Sequence, residues 1–177
     1  MSTFIFPGQG SQHKGMGKDL FSRYPHIVDI ADSVLGYSTR ELCLDDPNNV
    51  LTETQFTQPA LYVVNALTYF HTIGSKATRP DYVAGHSLGE YNALLAAEVI
   101  DFETGLRLVQ KRGQLMAQVK GGGMAAVVGL SDAQIERVLA EAALTCIDIA
   151  NRNSPSQFVI SGRVEDIQKA KPALESA

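Results

Sequence analysis

The sequence predicts an α/β fold, and three observations support this class. Short apolar segments with strand character alternate with longer segments whose apolar residues recur at helical spacing. A serine flanked by glycines, Ser87 in Gly85-His86-Ser87-Leu88-Gly89, separates a predicted strand from a predicted helix. A run of three glycines at positions 121–123 then divides the chain into two parts.

The first part, residues 1–120, alternates strands and helices that are bounded by glycine and proline. A strand over residues 3–6 ends at Pro7-Gly8, and a strand over residues 82–84 follows Pro80. A polar stretch at residues 48–57 is predicted to be connecting chain. The remaining segments are a Gly-interrupted turn and helix over 13–21, and helices over 27–35, 58–73, 90–99 and 101–120, with Gly36, Gly74 and Asp101 as end signals.

The second part, residues 121–177, has the predicted order β-α-β-β-α. Its strands cover residues 124–130, 146–150 and 157–161, and its helices begin after Ser131 and at position 164. A ferredoxin-like split βαβ unit has one more strand, so we expect this part to lack its last strand.

Composition excludes several classes of protein. The chain has 177 residues, of which 45% are hydrophobic, and a net charge of −4, which disfavours binding to nucleic acid or to a membrane surface. The N-terminus lacks a leader pattern, and the apolar run 93–100 is short of the ~20 residues of a membrane span, so we expect a cytoplasmic protein. Cys43 and Cys146 have no metal-ligand spacing and are interpreted as small buried apolar residues.

The segment around Ser87 fits the G-x-S-x-G pattern of a nucleophile on a sharp strand-to-helix turn. Such a turn needs glycines where backbones crowd, and it projects the hydroxyl at a helix N-terminus, where negative charge is stabilised. The alternative is a plain Gly-Ser loop. The placement of a strand before it and a helix after it favours the nucleophile.

A serine nucleophile needs a base, and no histidine follows Ser87 in this sequence. His86 is adjacent, so its side chain should diverge from that of Ser87, and we expect it to support the turn rather than act as the base. His13, His26 and His71 are predicted to be surface residues of helices or loops.

Two further features could serve such a nucleophile. The Gly-rich turn Phe6-Pro7-Gly8-Gln9-Gly10-Ser11-Gln12 matches no nucleotide-binding pattern, but its backbone N–H groups could form half of an oxyanion hole; a simple turn is the alternative. Arg112 lies beside the apolar stripe of its helix, where its planar fork could bind a carboxylate; the alternative is a solvated arginine.

Taken together, these segments resemble the malonyl-CoA:acyl-carrier-protein transacylases over nearly the whole chain. Residues 42–46 and 62–67 look most like the free-standing acyltransferases that serve polyketide synthases in trans. The motifs that carry the resemblance are Phe6-Pro7-Gly8-Gln9-Gly10-Ser11-Gln12, Thr57-Gln58-Pro59-Ala60, Gly85-His86-Ser87-Leu88-Gly89-Glu90-Tyr91, Lys111-Arg112-Gly113 with Met116, and Asn153-Ser154-Pro155 before Phe158-Val159-Ile160-Ser161-Gly162.

The resemblance implies transfer of a malonyl group from malonyl-CoA to the phosphopantetheine thiol of an acyl carrier protein, with no cofactor and no metal. Ser87 would carry the group as an ester, the backbone N–H groups of Gln9 and Leu88 would bind the oxyanion, and Arg112 would hold the malonyl carboxylate. It also implies that residues 1–120 are the first part of a hydrolase-like catalytic subdomain and 121–177 an inserted ferredoxin-like one. The base would be a histidine well downstream of Ser87, so we expect this sequence to be the N-terminal part of its protein, with the C-terminal remainder as partner.

Two other functions stay open on the same residues. A thioester hydrolase acting on acylated carrier proteins could use the same scaffold, although a carboxylate clamp at Arg112 suits a malonyl group better than a simple acyl chain. A non-catalytic module that binds a carrier protein or a partner domain would need no nucleophile at Ser87.

Overall fold

The computed structural model describes residues 1–76 and 79–177, and for Lys76 the backbone only. The chain divides into two compact units, Met1–Gln118 and Val119–Ala177. Within the described residues, no helix combines the length and the apolar character needed to cross a membrane.

The first unit contains two strands and five helices in the described residues. They are β1 (Thr3–Phe6), α1 (Pro25–Leu35), α2 (Thr39–Leu44), α3 (Thr54–Lys76), β2 (Tyr82–Gly85), α4 (Gly89–Ala96) and α5 (Phe102–Gln118).

Strands β1 and β2 pair in parallel, with Phe6 opposite Gly85 at their carboxyl ends. Phe6 packs in a small apolar cluster with Tyr69 of α3 and Ala96 of α4. Because both strands end at the same edge, the loops that follow them lie side by side, which is where parallel sheets place their functional groups.

Helix α3 is the centre of the main core of this unit. Its residues 60–63, 66 and 67 are almost fully buried, and α5 packs against it through Leu106 and Val109. The two helices approach closely at two glycines: a Cβ on Gly105 would overlap the Tyr62 hydroxyl, and one on Gly113 would lie 3.2 Å from the Gln55 Cα. The Tyr62 hydroxyl donates a hydrogen bond to the Phe102 carbonyl at 3.2 Å. Burial raises the pKa of this hydroxyl above its usual value.

The second unit has an antiparallel three-stranded sheet with the order β3-β5-β4. Its core contains Ile135, Leu139, Phe158, Ile160 and Ala170, contributed by two helices and by the central strand. The elements are β3 (Gly122–Val128), α6 (Asp132–Glu141), β4 (Asp148–Ser154), β5 (Gln157–Arg163) and α7 (Val164–Glu175).

The α/β class is confirmed, and several local predictions are wrong. Residues 14–23 form successive turns instead of a helix, because Gly15 and Gly17 adopt positive φ angles of 91° and 73°. Helix α2 was not predicted, and α3 begins at Thr54, inside the predicted connecting chain. Strand β3 begins at Gly122, within the predicted linker. Cys43 is buried as expected, but Cys146 is exposed.

Candidate active site

Ser87 lies on a sharp turn between β2 and α4. Its φ angle is 54°, in the left-handed region that a residue with a side chain rarely adopts. Such strain persists only where the surrounding structure imposes it, and it clusters at functional sites. The serine side chain is exposed, whereas the following Leu88 is fully buried and anchors the turn.

The two glycines around Ser87 are required by close backbone contacts. A Cβ on Gly85 would overlap the backbone of Gly89 and Glu90, and a Cβ on Gly89 would overlap the Phe6 carbonyl at the end of β1. Helix α4 therefore begins directly against the carboxyl ends of both strands. The pattern Gly-x-Ser-x-Gly therefore reflects two positions at which there is no room for a Cβ atom.

The Gly-rich turn after β1 packs directly against the Ser87 turn. The His86 backbone N–H donates to the Phe6 carbonyl at 3.0 Å, and a Cβ on Gly8 would overlap the His86 carbonyl. Asn65 of α3 donates to the Pro7 carbonyl at 3.1 Å and to the Asn92 side chain at 3.1 Å. Both asparagines are buried, so this network fixes the turn against α3 and α4.

Two backbone N–H groups at this junction remain available. In the described part of the chain, neither the Gln9 N–H nor the Leu88 N–H donates a hydrogen bond to the protein. Leu88 directly precedes α4, so its N–H is also at the positive end of that helix. Both N–H groups could donate to an oxyanion that forms on a substrate at Ser87.

Arg112 reaches the serine from α5. Its Nη2 atom donates to the Ser87 Oγ atom at 2.9 Å, and its Nη1 atom donates to the Gln58 side-chain oxygen. Arg112 is half-buried, and among the described residues no carboxylate lies within ion-pair distance of it. The guanidinium charge beside the serine is therefore available to an anionic group of a ligand.

Gln58 and Thr54 form a second layer behind the arginine, and sequence reasoning assigned neither of them a role. The Gln58 side-chain nitrogen donates to the Thr54 hydroxyl at 3.3 Å and to the Met116 sulfur at 3.0 Å. The Thr54 hydroxyl in turn donates to the side-chain oxygen of Gln9 at 2.9 Å. A signal was present for Gln58, since Thr57-Gln58-Pro59-Ala60 is one of the motifs that carry the resemblance.

The structure thus brings Gln9, Ser87, Leu88 and Arg112 to one place in the first unit. His86 lies in the same turn and is exposed. His13 and His26 are exposed, as predicted, whereas His71 is half-buried with its ring 6.5 Å from that of Tyr24. A strained serine beside free N–H groups and an unneutralised arginine is suited to covalent transfer of an acyl group that carries a negative charge.

The comparison with protein families matches residues 3–175 to the acyl transferase domain family, and the chain belongs to this family. A curated relative from Bacillus subtilis, named polyketide biosynthesis malonyl CoA-acyl carrier protein transacylase PksC, is 56% identical over 176 residues; the match covers 99% of this chain and 61% of the relative.

Solved structures agree with this family. The crystal structure of a malonyl CoA-acyl carrier protein transacylase from Burkholderia pseudomallei matches with 58% identity and a TM-score of 0.94, over 96% of this chain and 59% of that one. A type II PKS acyl-carrier protein in complex with its malonyl-transacylase matches with 38% identity and a TM-score of 0.88, over 98% and 59%. The chain therefore spans about three fifths of the length of these relatives.

Proposed function

We propose that the protein transfers a malonyl group from malonyl-CoA to the phosphopantetheine thiol of an acyl carrier protein, as a supplier of extender units for polyketide or fatty-acid synthesis. The observation that carries the proposal is the 2.9 Å contact between Arg112 Nη2 and Ser87 Oγ. This contact joins a group suited to a carboxylate with the nucleophile. The names of the relatives support the same substrate and the same acceptor.

In the first half-reaction, the Ser87 oxygen attacks the thioester carbonyl of malonyl-CoA. The hydroxyl proton passes to a base, a tetrahedral oxyanion forms, and the C–S bond then breaks to release the CoA thiol and leave a malonyl ester on Ser87. The N–H groups of Gln9 and Leu88 would stabilise the oxyanion, a contribution of about 3–4 kcal/mol per donor in other acyl-transfer enzymes. In the second half-reaction, the carrier thiol gives its proton to the base and attacks the ester carbonyl. The bond between the carbonyl carbon and the Ser87 oxygen then breaks, the serine takes back a proton, and the malonyl group leaves as a thioester of the carrier.

Arg112 would bind the free carboxylate of the malonyl group in both half-reactions. A guanidinium presents two parallel N–H donors to a carboxylate, which fixes its orientation as well as its position. Before substrate arrives, one of these donors is occupied by the serine oxygen. The incoming carboxylate would take over that donor and free the hydroxyl for attack.

The family resemblance places the base at a histidine well downstream of Ser87, so none of the four histidines in this sequence is assigned that role. No metal or prosthetic group is required in the proposal, since the thioester itself supplies the activated acyl group. Malonyl-CoA and carrier proteins are cytoplasmic metabolites and proteins, so we propose that the enzyme acts in the cytoplasm.

The proposal is tested by incubating the natural full chain with malonyl-CoA and locating the adduct by peptide mass spectrometry. The expected result is a malonyl group on the Ser87 peptide, absent in Ser87→Ala and retained in Ser33→Ala, a matched change on the exposed surface of α1. Addition of a holo carrier protein should move the group to the carrier.

Two results would contradict the proposal. Release of free malonate without transfer, faster than the uncatalysed reaction, would indicate a thioester hydrolase. Absence of any adduct, together with tight binding of the carrier protein, would indicate a non-catalytic binding module.

A further inference from the structure

We propose that Gln58 and Thr54 are positioning residues that couple the carboxylate clamp to the oxyanion loop. The inference rests on the proposed function and deepens it. The relay consists of four side chains, from Arg112 through Gln58 and Thr54 to Gln9, and it ends on the two groups that would contact opposite ends of the bound malonyl group.

The direction of each hydrogen bond in the relay is determined by chemistry. A guanidinium only donates, so Gln58 must present its oxygen to Arg112, and its nitrogen then faces Thr54 and Met116. The threonine hydroxyl accepts from Gln58 and donates its one proton to the Gln9 oxygen. Turning the Gln58 amide over would place donor against donor, so Gln58 holds one orientation.

Burial makes this arrangement rigid. Gln58 is fully buried, and both hydrogens of its amide nitrogen and its oxygen have partners. Breaking any one of these bonds leaves a buried polar group unsatisfied, which costs more than the bond itself contributes. Gln58 therefore holds the guanidinium next to Ser87 even in the absence of a ligand.

The neutral charge of Gln58 is essential to this role. A glutamate at this position would accept the same hydrogen bond from Arg112, but it would also neutralise the arginine in a buried ion pair. A glutamine positions the guanidinium while its charge stays available for a substrate carboxylate. The amide thus favours a malonyl group over an acyl group without a carboxylate.

Thr54 extends this hold to the loop that carries the Gln9 N–H. Thr54 and Gln58 are four residues apart on α3 and so lie on one face of the helix. The hydrogen bond from Thr54 fixes the Gln9 side chain, and through it the position of the neighbouring backbone N–H. Gln58 and Thr54 therefore hold the Arg112 guanidinium and the Gln9 loop at a fixed distance from each other.

The experiment measures single-turnover acylation of Ser87 in the natural full chain, with malonyl-CoA and with acetyl-CoA. In Gln58→Glu, we expect the malonyl rate to fall roughly 10–100-fold more than the acetyl rate, the range for a lost charge-assisted bond. Equal losses for the two substrates would overturn the role of the neutral amide. If the wild type forms no malonyl-Ser87 at all, the proposed function fails, and this inference fails with it.

A second series of variants tests the relay without placing a charged side chain in the core. Thr54→Val should slow malonyl acylation by about 3–10-fold, Thr54→Ser should restore it, and Thr68→Val, an exposed position on the same helix, should leave it unchanged. Thr54→Val and Gln9→Ala should not be additive, because both break the same bond. Losses that multiply in the double variant would refute coupling through Thr54 while leaving the proposed function intact.

Discussion

Replacing Ser87 with glycine should stabilise the protein relative to replacing it with alanine. Both changes remove the hydroxyl and its bond to Arg112, so these losses cancel in the comparison. The remaining difference is the φ angle of 54°, which costs a residue with a Cβ about 1–2 kcal/mol and glycine almost nothing. The greater freedom of glycine in the unfolded chain offsets about 0.4–1 kcal/mol of that. The net preference for glycine therefore lies between about 0 and 1.6 kcal/mol, with a central value of about 0.8 kcal/mol.

The assay is equilibrium unfolding in urea, followed by circular dichroism, with the midpoint compared between Ser87→Gly and Ser87→Ala. A matched pair at Ser33, inside helix α1, supplies the control and should show the opposite order, since glycine destabilises a helix interior by about 1 kcal/mol relative to alanine. If the alanine variant were more stable than the glycine variant at position 87, Ser87 would not be in the left-handed conformation. The argument for a strained nucleophile would then be refuted.

Other predictions concern the clamp and the two cysteines. Arg112→Ala should cost about 2–4 kcal/mol in transition-state binding of malonyl-CoA and little for acetyl-CoA. Arg112→Lys should recover only part of the loss. Equal losses in kcat/KM for both substrates would show that Arg112 has a structural role. Iodoacetamide at pH 8 should label Cys146, which is exposed, and spare Cys43, as peptide mapping can check. Burial, with smaller contributions from Asp32 and Asp46, raises the pKa of Cys43 to about 12, so this thiol stays protonated when the unfolded thiol, with a pKa of about 8.5, has ionised. Stability should therefore fall as the pH rises from about 8.5 towards 12, and Cys43→Ser should flatten that fall in urea midpoints.

The turn at Ser87 could be predicted from sequence because its constraints are local. Gly85 and Gly89 are required by contacts within a few residues of the serine and with the adjacent strand, and the pattern of two glycines around a serine records those contacts directly. The helix ends at Gly36 and at Asp101 are equally local: Gly36 has a φ angle of 81° as a C-cap, and Asp101 accepts from the Thr104 N–H at 2.7 Å. Hydrogen bonds between residues three or four apart can be recognised from the sequence, because both partners lie in the same short segment.

The first turn of α3 could not be predicted, because its stabilising contacts are with residues outside the helix. Residues 52–55 are polar and show no apolar periodicity, so they resemble a loop. In the folded chain, the Thr57 hydroxyl donates to the Leu51 carbonyl at 2.6 Å, and Thr54 donates to Gln9, which is 45 residues away. This turn supplies Thr54, one of the four side chains of the relay. The prediction of connecting chain was therefore wrong at Thr54, a residue that contacts the candidate site.

Close packing of α3 against α5 explains why the arginine reaches the serine at all. With no side chain at Gly113, the backbone of α5 lies next to Gln55 and the Thr54 carbonyl, and a Cβ there would be only 3.2 Å from either. Arg112 precedes this contact by one residue and Met116 follows it by three, so both face the polar end of α3 where Gln58 is buried. A wider spacing would leave the Gln58 amide unsatisfied and Arg112 free to turn into solvent. Gly113 thus allows α5 to pack close to α3, and this short distance lets Arg112 reach both Gln58 and Ser87.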